Sequence, residues 1–447
     1  MASGPPLPAG IENRIWSDDE TLPRSDLIAL QGRRLRECVE RTAAIPFYAE
    51  KFRACGVRPD QIKSADDVRR LPFTTKEDLR GQYPFGMLAV PREALARVHC
   101  STGTTGKPTV VAYTRTDLQT WADLCARFLV AGGLRAGHLV HIAFGYGLFT
   151  GGFGLHYGAE RVGAAVVPAS AGNTERHVML IADFKADVLV CTPSYALNIA
   201  ETARAVGRDP RSLGLRFGHF GAEPWTEDMR REIEDQLGLA AFNNYGLSEI
   251  MGPGVSGECR ERNGMHIQED HFLVECLHPH TLEPVPPGER GELVFTTLTK
   301  QAMPLIRYRT RDLCALDPAP CPCGRTTVRM SRIVGRTDDM LIIRGVNLFP
   351  SQIEEALLRV EGVAPHYVIE VTRPGALDDL TVRVEMRPGM FSDDMRGIQA
   401  LNARIEHAIY AVTGVRARVE LVEPQTLERF QGKARRVIDR RPEGCRT

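Results

Sequence analysis

Lysine is scarce in this chain of 447 residues: it occurs only at 51, 63, 76, 107, 185, 300 and 433, so 49 of the 56 basic residues are arginine. Where so arginine-rich a chain sets lysine beside glycine, as at 106–107 and 432–433, a compact ammonium rather than a planar guanidinium is called for. Excess charge is missing as well. Basic and acidic residues both number 56, which argues against a general binder of nucleic acid or of acidic membranes. No stretch approaches the roughly 18–20 uninterrupted apolar residues of a membrane helix. The opening MASGPPLPAG lacks the basic start and apolar core of a signal peptide. Eleven scattered cysteines, an odd number, do not make a disulfide framework. The expectation is a reduced, cytoplasmic enzyme. There are no internal repeats and no low-complexity tract.

What is present is an ordinary globular composition, 43% hydrophobic and 25% charged. At about 150 residues per domain the length allows two or three domains. Residues 1–95 read as helical and loop-rich. The middle alternates short apolar runs, at 139–144, 164–167, 188–191 and 215–220, with helical patterns such as 173–184 and 194–206. That alternation predicts an α/β core with parallel strands. From Phe272 the pattern turns to strand-like pieces (FLVECLHP, GELVFTT, DLCALDP) parted by proline and glycine, a smaller β-rich subdomain. Beyond residue 337 a compact α+β tail begins. Its long helix runs over 392–413, with Met395, Ile398, Leu401, Ile405, Ile409 and Val412 at helical spacing, Ser392 as cap and Gly414 as stop. The fold class is therefore α/β: a large N-terminal domain, 1–337, and a small C-terminal α+β domain, 338–447.

The sharpest local signal is Ser101-Thr-Gly-Thr-Thr-Gly-Lys-Pro-Thr109. Glycines let backbone approach phosphate oxygens, while hydroxyls and an ammonium supply donors and charge. It is not a Walker A loop. That pattern needs glycine where Ser101 stands and Ser or Thr where Pro108 stands.

STGTTGKPT resembles the phosphate loop of the adenylate-forming superfamily, which includes acyl-CoA synthetases, peptide-synthetase adenylation domains and luciferases. Gly221-Ala-Glu-Pro-Trp-Thr226, Tyr245-Gly-Leu-Ser-Glu249, Arg307-Tyr-Arg-Thr-Arg-Asp312, Gly335-Arg-Thr-Asp-Asp339 and Gly432-Lys433 resemble its further motifs, in the family's order. Within it, Phe144-Gly-Tyr-Gly-Leu-Phe-Thr-Gly-Gly152, YGLSEIMGPGV, LTKQAMPLIRYRTRD and DDMLIIRGVNLFPSQIE are similar to the phenylacetate–CoA ligase family. The likeness runs from about residue 27 to 441.

The resemblance implies a two-step reaction. ATP and a carboxylic acid give an acyl-adenylate and diphosphate, and the thiol of coenzyme A then displaces AMP. Such chemistry rests on positioning and charge neutralisation. By the same resemblance Ser101, Thr102, Gly103, Thr104, Thr105, Gly106 and Lys107 hold the ATP phosphates, and Glu249 binds Mg²⁺. Gly221, Ala222, Glu223, Pro224, Tyr245 and Gly246 line the adenine, Asp312 accepts from the ribose, and Arg336 contacts the nucleotide. Lys433 is the expected catalytic residue of the first step, offsetting the repulsion between carboxylate and α-phosphate. Asp338 matches an acidic hinge, about which the small domain turns to bring Arg344 and Gly345 to the CoA channel. Phe144, Tyr146, Phe149 and Gly151 border the acyl pocket, with the glycines leaving room for a flat ring. Phenylalanine at 144, where this family often has tyrosine, favours an apolar ring.

Cys321 and Cys323, with Cys259 and His266, offer a tetrahedral structural Zn²⁺ site, and Cys276 and His271 are alternative ligands. The leading expectation is an AMP-forming ligase joining phenylacetate to CoA. Its rivals are a ligase for another aryl acid such as a hydroxybenzoate, an enzyme loading a carrier protein, and a catalytically silent nucleotide-binding regulator. The expected partners are aryl acid, ATP and CoA, with no nucleic acid and no membrane. A homodimer is compatible with the family.

Overall fold

The computed structural model describes residues 14–101, 108–344, 346–374, 377–387, 395–429 and 436–441. Two helices, Arg24–Ala43 and Pro46–Ala54, open the chain. They lead to a hairpin of Arg97–Cys100 and Val110–Tyr113.

The centre is one large mixed sheet. Strands Ala165–Val167, Leu139–Ile142, Val188–Cys191, Phe217–Gly221 and Ala240–Leu247 run parallel in that order. The sheet continues antiparallel through Gly252–Glu258 and Met265–Ile267 to Arg329–Met330. Next to these lie Tyr308–Asp317, Arg290–Thr297 and Phe272–Leu277, the β-rich part expected after residue 272.

Strand Val188–Cys191 is buried on both faces, as its unbroken apolar run predicts. Alternate residues serve different cores. Val188 and Val190 join one with helix Arg115–Ala131, which supplies Trp121, Leu124 and Phe128. Leu189 and Cys191 join the other with Ile181, Ile199 and Ile233 of helices Thr174–Phe184, Pro193–Ala205 and Glu227–Leu237. A period of two thus builds the layered α/β arrangement directly.

From Leu341 the chain has a third core. A four-stranded sheet, ordered Arg418–Val422, Asp379–Met386, Val363–Thr372, Val437–Asp439, packs helices Pro350–Leu358 and Met395–Thr413. Leu401, Ile405 and Ile409 of the long helix are buried, as their spacing requires. Gly414 ends it at φ +70°, a conformation natural to glycine. Ser392, expected as its cap, lies outside the described residues. Among the described residues no helix is long and apolar enough to cross a membrane.

Candidate active site

A cleft of about 490 Å³ opens where the parallel strands end. Open α/β sheets leave a crevice at this edge, because loops leaving neighbouring strands diverge to opposite faces. Strand Leu139–Ile142 is followed by Phe144, Val188–Cys191 by Thr192 and Phe217–Gly221 by Ala222, and all three followers line the cleft. Of the residues singled out in the sequence, Ser101, Phe144, Phe149, Gly151, Ala222, Gly246, Glu249 and Arg336 share this wall.

Several local features carve the wall. Gly246 needs its missing side chain, since a Cβ there would meet the Gly252 carbonyl oxygen at 2.0 Å. The tight approach turns the chain so that the buried Glu249 faces the cleft. Ala222 sits at φ +69°, a costly conformation for a residue with a side chain. Thr150 and Ser248 share a buried hydrogen bond of 2.8 Å across the floor. Ser101 closes one side, its N–H donating to the Thr109 carbonyl at 2.9 Å.

Four sequence-predicted residues join in one hydrogen-bonded chain. The Tyr245 hydroxyl donates to Asp312 at 2.6 Å. Arg336 donates to the other Asp312 oxygen at 3.1 Å and, with two further nitrogens, to Asp338 at 2.9 and 3.0 Å. Burial works against the Arg336 charge, but the Asp338 hydrogen bonds and the charge of Asp312 outweigh it and raise its pKa. Burial also pushes the Tyr245 phenol up, and Asp312 adds to the shift. Because Tyr245 alternates with the wall residues Asn244 and Gly246, its ring stacks near Phe295, with centroids 6.3 Å apart.

Two lysines at the site escaped the sequence analysis. Lys76 lines the cleft with its Nζ 3.5 Å from the Glu249 carboxylate. It stands first in helix Lys76–Gly81, which Thr75 caps. Lys300 is fully buried and donates to the carbonyls of Glu249 and Ile250 at 3.0 and 2.9 Å. Burial brings its pKa down to about 8, opposed by Asp117 and Glu249. Their one available signal was the rarity of lysine itself.

Other expected residues stand elsewhere. Tyr146 is not in the cleft wall. Its hydroxyl pairs with His156 Nδ1 at 3.1 Å and its ring meets Phe153 edge-on at 5.3 Å, which turns the side chain onto helix Gly151–Val162. Gly151 does line the cleft, but a Cβ there would meet the Phe149 ring at 2.6 Å, so its missing side chain makes room for Phe149. Glu223 and Pro224 line a second cavity, of about 470 Å³, together with Asp338 and Arg436. Glu223 accepts from the Ser194 N–H at 2.7 Å. Arg344 is held by the Asp378 carbonyl at 2.7 Å and the Asp379 carboxylate at 3.2 Å, away from the cleft. Thr102, Gly103, Thr104, Thr105, Gly106, Lys107, Gly345 and Lys433 lie outside the described residues.

The cysteine cluster forms a site of its own. Cys259, His266, Cys321 and Cys323 are all buried, and their ligand atoms lie within 4.8 Å of one another. The sulfurs of Cys259 and Cys321 are 3.8 Å apart, and Cys323 Sγ lies 3.4 Å from His266 Nε2. A tetrahedral ion with bonds of about 2.0–2.3 Å sets its ligand atoms about 3.5–3.8 Å apart. Thr327 holds the other ring nitrogen of His266 at 3.2 Å, an orienting contact usual for a ligating imidazole. The alternatives are engaged elsewhere. Cys276 points to the Cys314 carbonyl, and His271 pairs with Thr299 and Asp270.

Two family models match the chain. The AMP-binding enzyme model covers residues 49–299, and the AMP-binding enzyme C-terminal domain covers 345–441. The chain is 52% identical to a phenylacetate-coenzyme A ligase of Aromatoleum evansii, over 95% of this chain and 96% of that protein. The ligase of that name from Thermus thermophilus is also 52% identical, over 94% and 98%, and that of Escherichia coli 50%, over 94% and 97%. Among solved structures, 2-hydroxyisobutyryl-CoA ligase in its postadenylation state, in complex with R3-HIB-AMP, aligns with a TM-score of 0.91. The identity is 32%, covering 97% of this chain and 94% of that one. The same enzyme in its thioesterification state, with 2-HIB-AMP and CoA, aligns at 0.71 with 33% identity, over 95% and 92%.

Proposed function

The chain belongs to the AMP-binding enzyme family, and from that premise we propose that it is an AMP-forming phenylacetate–CoA ligase. The observation that carries this reading is near-complete alignment at about half identity with ligases of that name. Phenylacetate attacks the α-phosphorus of ATP, giving phenylacetyl-adenylate and diphosphate. The CoA sulfur then adds to the acyl carbon, the thiol proton is lost, and AMP leaves with the phosphate oxygen.

Ser101 and the loop of Thr102 to Lys107 bind the β- and γ-phosphates. Glu249 is a buried hard-oxygen donor on the cleft wall, and this fits it to Mg²⁺, a cation that keeps most of its shell for water and phosphate. The metal would neutralise phosphate charge. Lys76 is near enough to Glu249 to share that anionic load. Asp312, a carboxylate that only accepts hydrogen bonds and is held in place by Tyr245 and Arg336, receives the ribose hydroxyls. Arg336 lines the cleft and reaches Asp338, so it links nucleotide occupancy to the hinge. Lys433 stabilises the developing charge of the first step. Phe144 and Phe149 bound an apolar ring site. For the second step, residues 338–447 turn about Asp338 and bring Arg344 and Gly345 to the thiol.

Cys259, His266, Cys321 and Cys323 fit a structural zinc ion. Three thiol sulfurs and an imidazole fill all four positions, which leaves none for substrate. Eleven scattered cysteines, an odd number, suit a reducing compartment, and the location proposed is the cytoplasm.

The test is AMP release from ATP with CoA across phenylacetate, hydroxyphenylacetates, benzoate and cinnamate. Release with phenylacetate well above the others is expected. Release only with a different aryl acid would keep the mechanism and overturn the substrate.

A further inference from the structure

Among the contacts between the small domain and the large one, several pair acids on two helices of the large domain with bases of the small one. Glu232 faces Arg387 at 2.7 Å and Asp228 faces Arg359 at 3.5 Å, but both arginines are largely exposed, and such pairs contribute little. Glu201 on helix Pro193–Ala205 differs. It takes two partners, His366 Nε2 at 2.5 Å and Arg429 Nε at 3.0 Å, all three mostly sheltered from solvent.

Arg429 is itself preset. Its two terminal nitrogens donate to the buried Glu385 at 2.8 and 2.7 Å, and Glu385 also accepts from the amides of Gln425 and Leu427. A fork fixed in this way loses little freedom when it binds a second carboxylate. Arg429 stands four residues before Lys433 in the sequence.

The orientation seen here aligns with 2-hydroxyisobutyryl-CoA ligase in its postadenylation state at a TM-score of 0.91 and in its thioesterification state at only 0.71. We propose that Glu201 is a positioning residue for the first half-reaction: through His366 and Arg429 it holds the small domain in this orientation, the one that forms the adenylate. This rests on the reading of the two half-reactions given above. It gives the large domain a specific grip on one orientation, which rotation must break.

The test measures the half-reactions separately in full-length protein. Glu201→Gln should lower phenylacetate-dependent ATP–diphosphate exchange about five- to tenfold in kcat, with KM for ATP little changed. Thioester formation from synthetic phenylacetyl-adenylate and CoA should be unchanged or faster. Glu201→Asp should recover part of the loss, and Glu232→Gln should stay within about twofold of wild type. Exchange by Glu201→Gln within twofold of wild type, or an equal loss in both half-reactions, would overturn the role of Glu201 alone. Absence of exchange in wild type, or full exchange in Lys433→Ala, would bring down the underlying reading and this inference with it.

Discussion

The cleft and the cysteine cluster are both assembled from residues far apart in sequence, yet they are built on opposite principles. In the cluster four buried ligand atoms lie within 4.8 Å of one another, and the space between them suits a single ion. In the cleft the polar groups surround about 490 Å³ and are held from behind. Arg336 is fixed by Asp312 and Asp338, and the Glu249 backbone by Lys300. A site closed on itself contributes to stability, whereas one braced from outside and open in front can take a substrate and release it. On the proposed reading, catalysis is done in the cleft and the cluster clamps the fold.

The sharpest way to break that contrast is Lys433→Ala. It should lower acid-dependent ATP–diphosphate exchange about 100- to 1,000-fold and leave thioester formation from preformed adenylate within a few-fold. Equal losses would remove Lys433 from the first step. Asp312→Asn should come next, lowering kcat/KM for ATP about 10- to 100-fold, because the neutral amide gives up the charge that holds Arg336. A steady-state ATP titration checks it. Phe144→Tyr should be milder, shifting preference from phenylacetate towards 4-hydroxyphenylacetate about two- to tenfold, read as a ratio of kcat/KM values. Cys323→Ser should have the least effect on turnover, under about twofold per folded molecule, while costing about 2 kcal/mol or more in unfolding free energy and releasing zinc. If its half-reaction rates fell while its melting temperature held, the cluster would belong to the catalytic side.

Much of this was legible from the chain because the relevant signals are local. The run at 188–191 is a strand because it is apolar without a break and short, and the structure has it as Val188–Cys191. The helix near 194–206 begins one residue earlier, at Pro193, since proline at the first turn with Thr192 as cap is a natural start. Choosing among cysteines and histidines was not local. His266 reaches Cys323 because strand Met265–Ile267 pairs with Arg329–Met330 and sets His266 opposite Arg329, and no spacing announces that register. Lys76 was missed because a lysine opening a short capped helix looks like any surface lysine until Glu249 is brought beside it. Tyr146 went astray for the opposite reason: its neighbours Phe144 and Phe149 do line the cleft, but His156 draws its hydroxyl away.

The central claim is a stepwise reaction through an adenylate. It is tested most directly by incubating the protein with ATP, Mg²⁺, phenylacetate and labelled diphosphate in the absence of CoA. The account predicts label returning to ATP only when phenylacetate is present, and a burst of AMP and thioester once CoA is added. Absence of exchange until CoA is supplied, or ADP in place of AMP as the product, would contradict it.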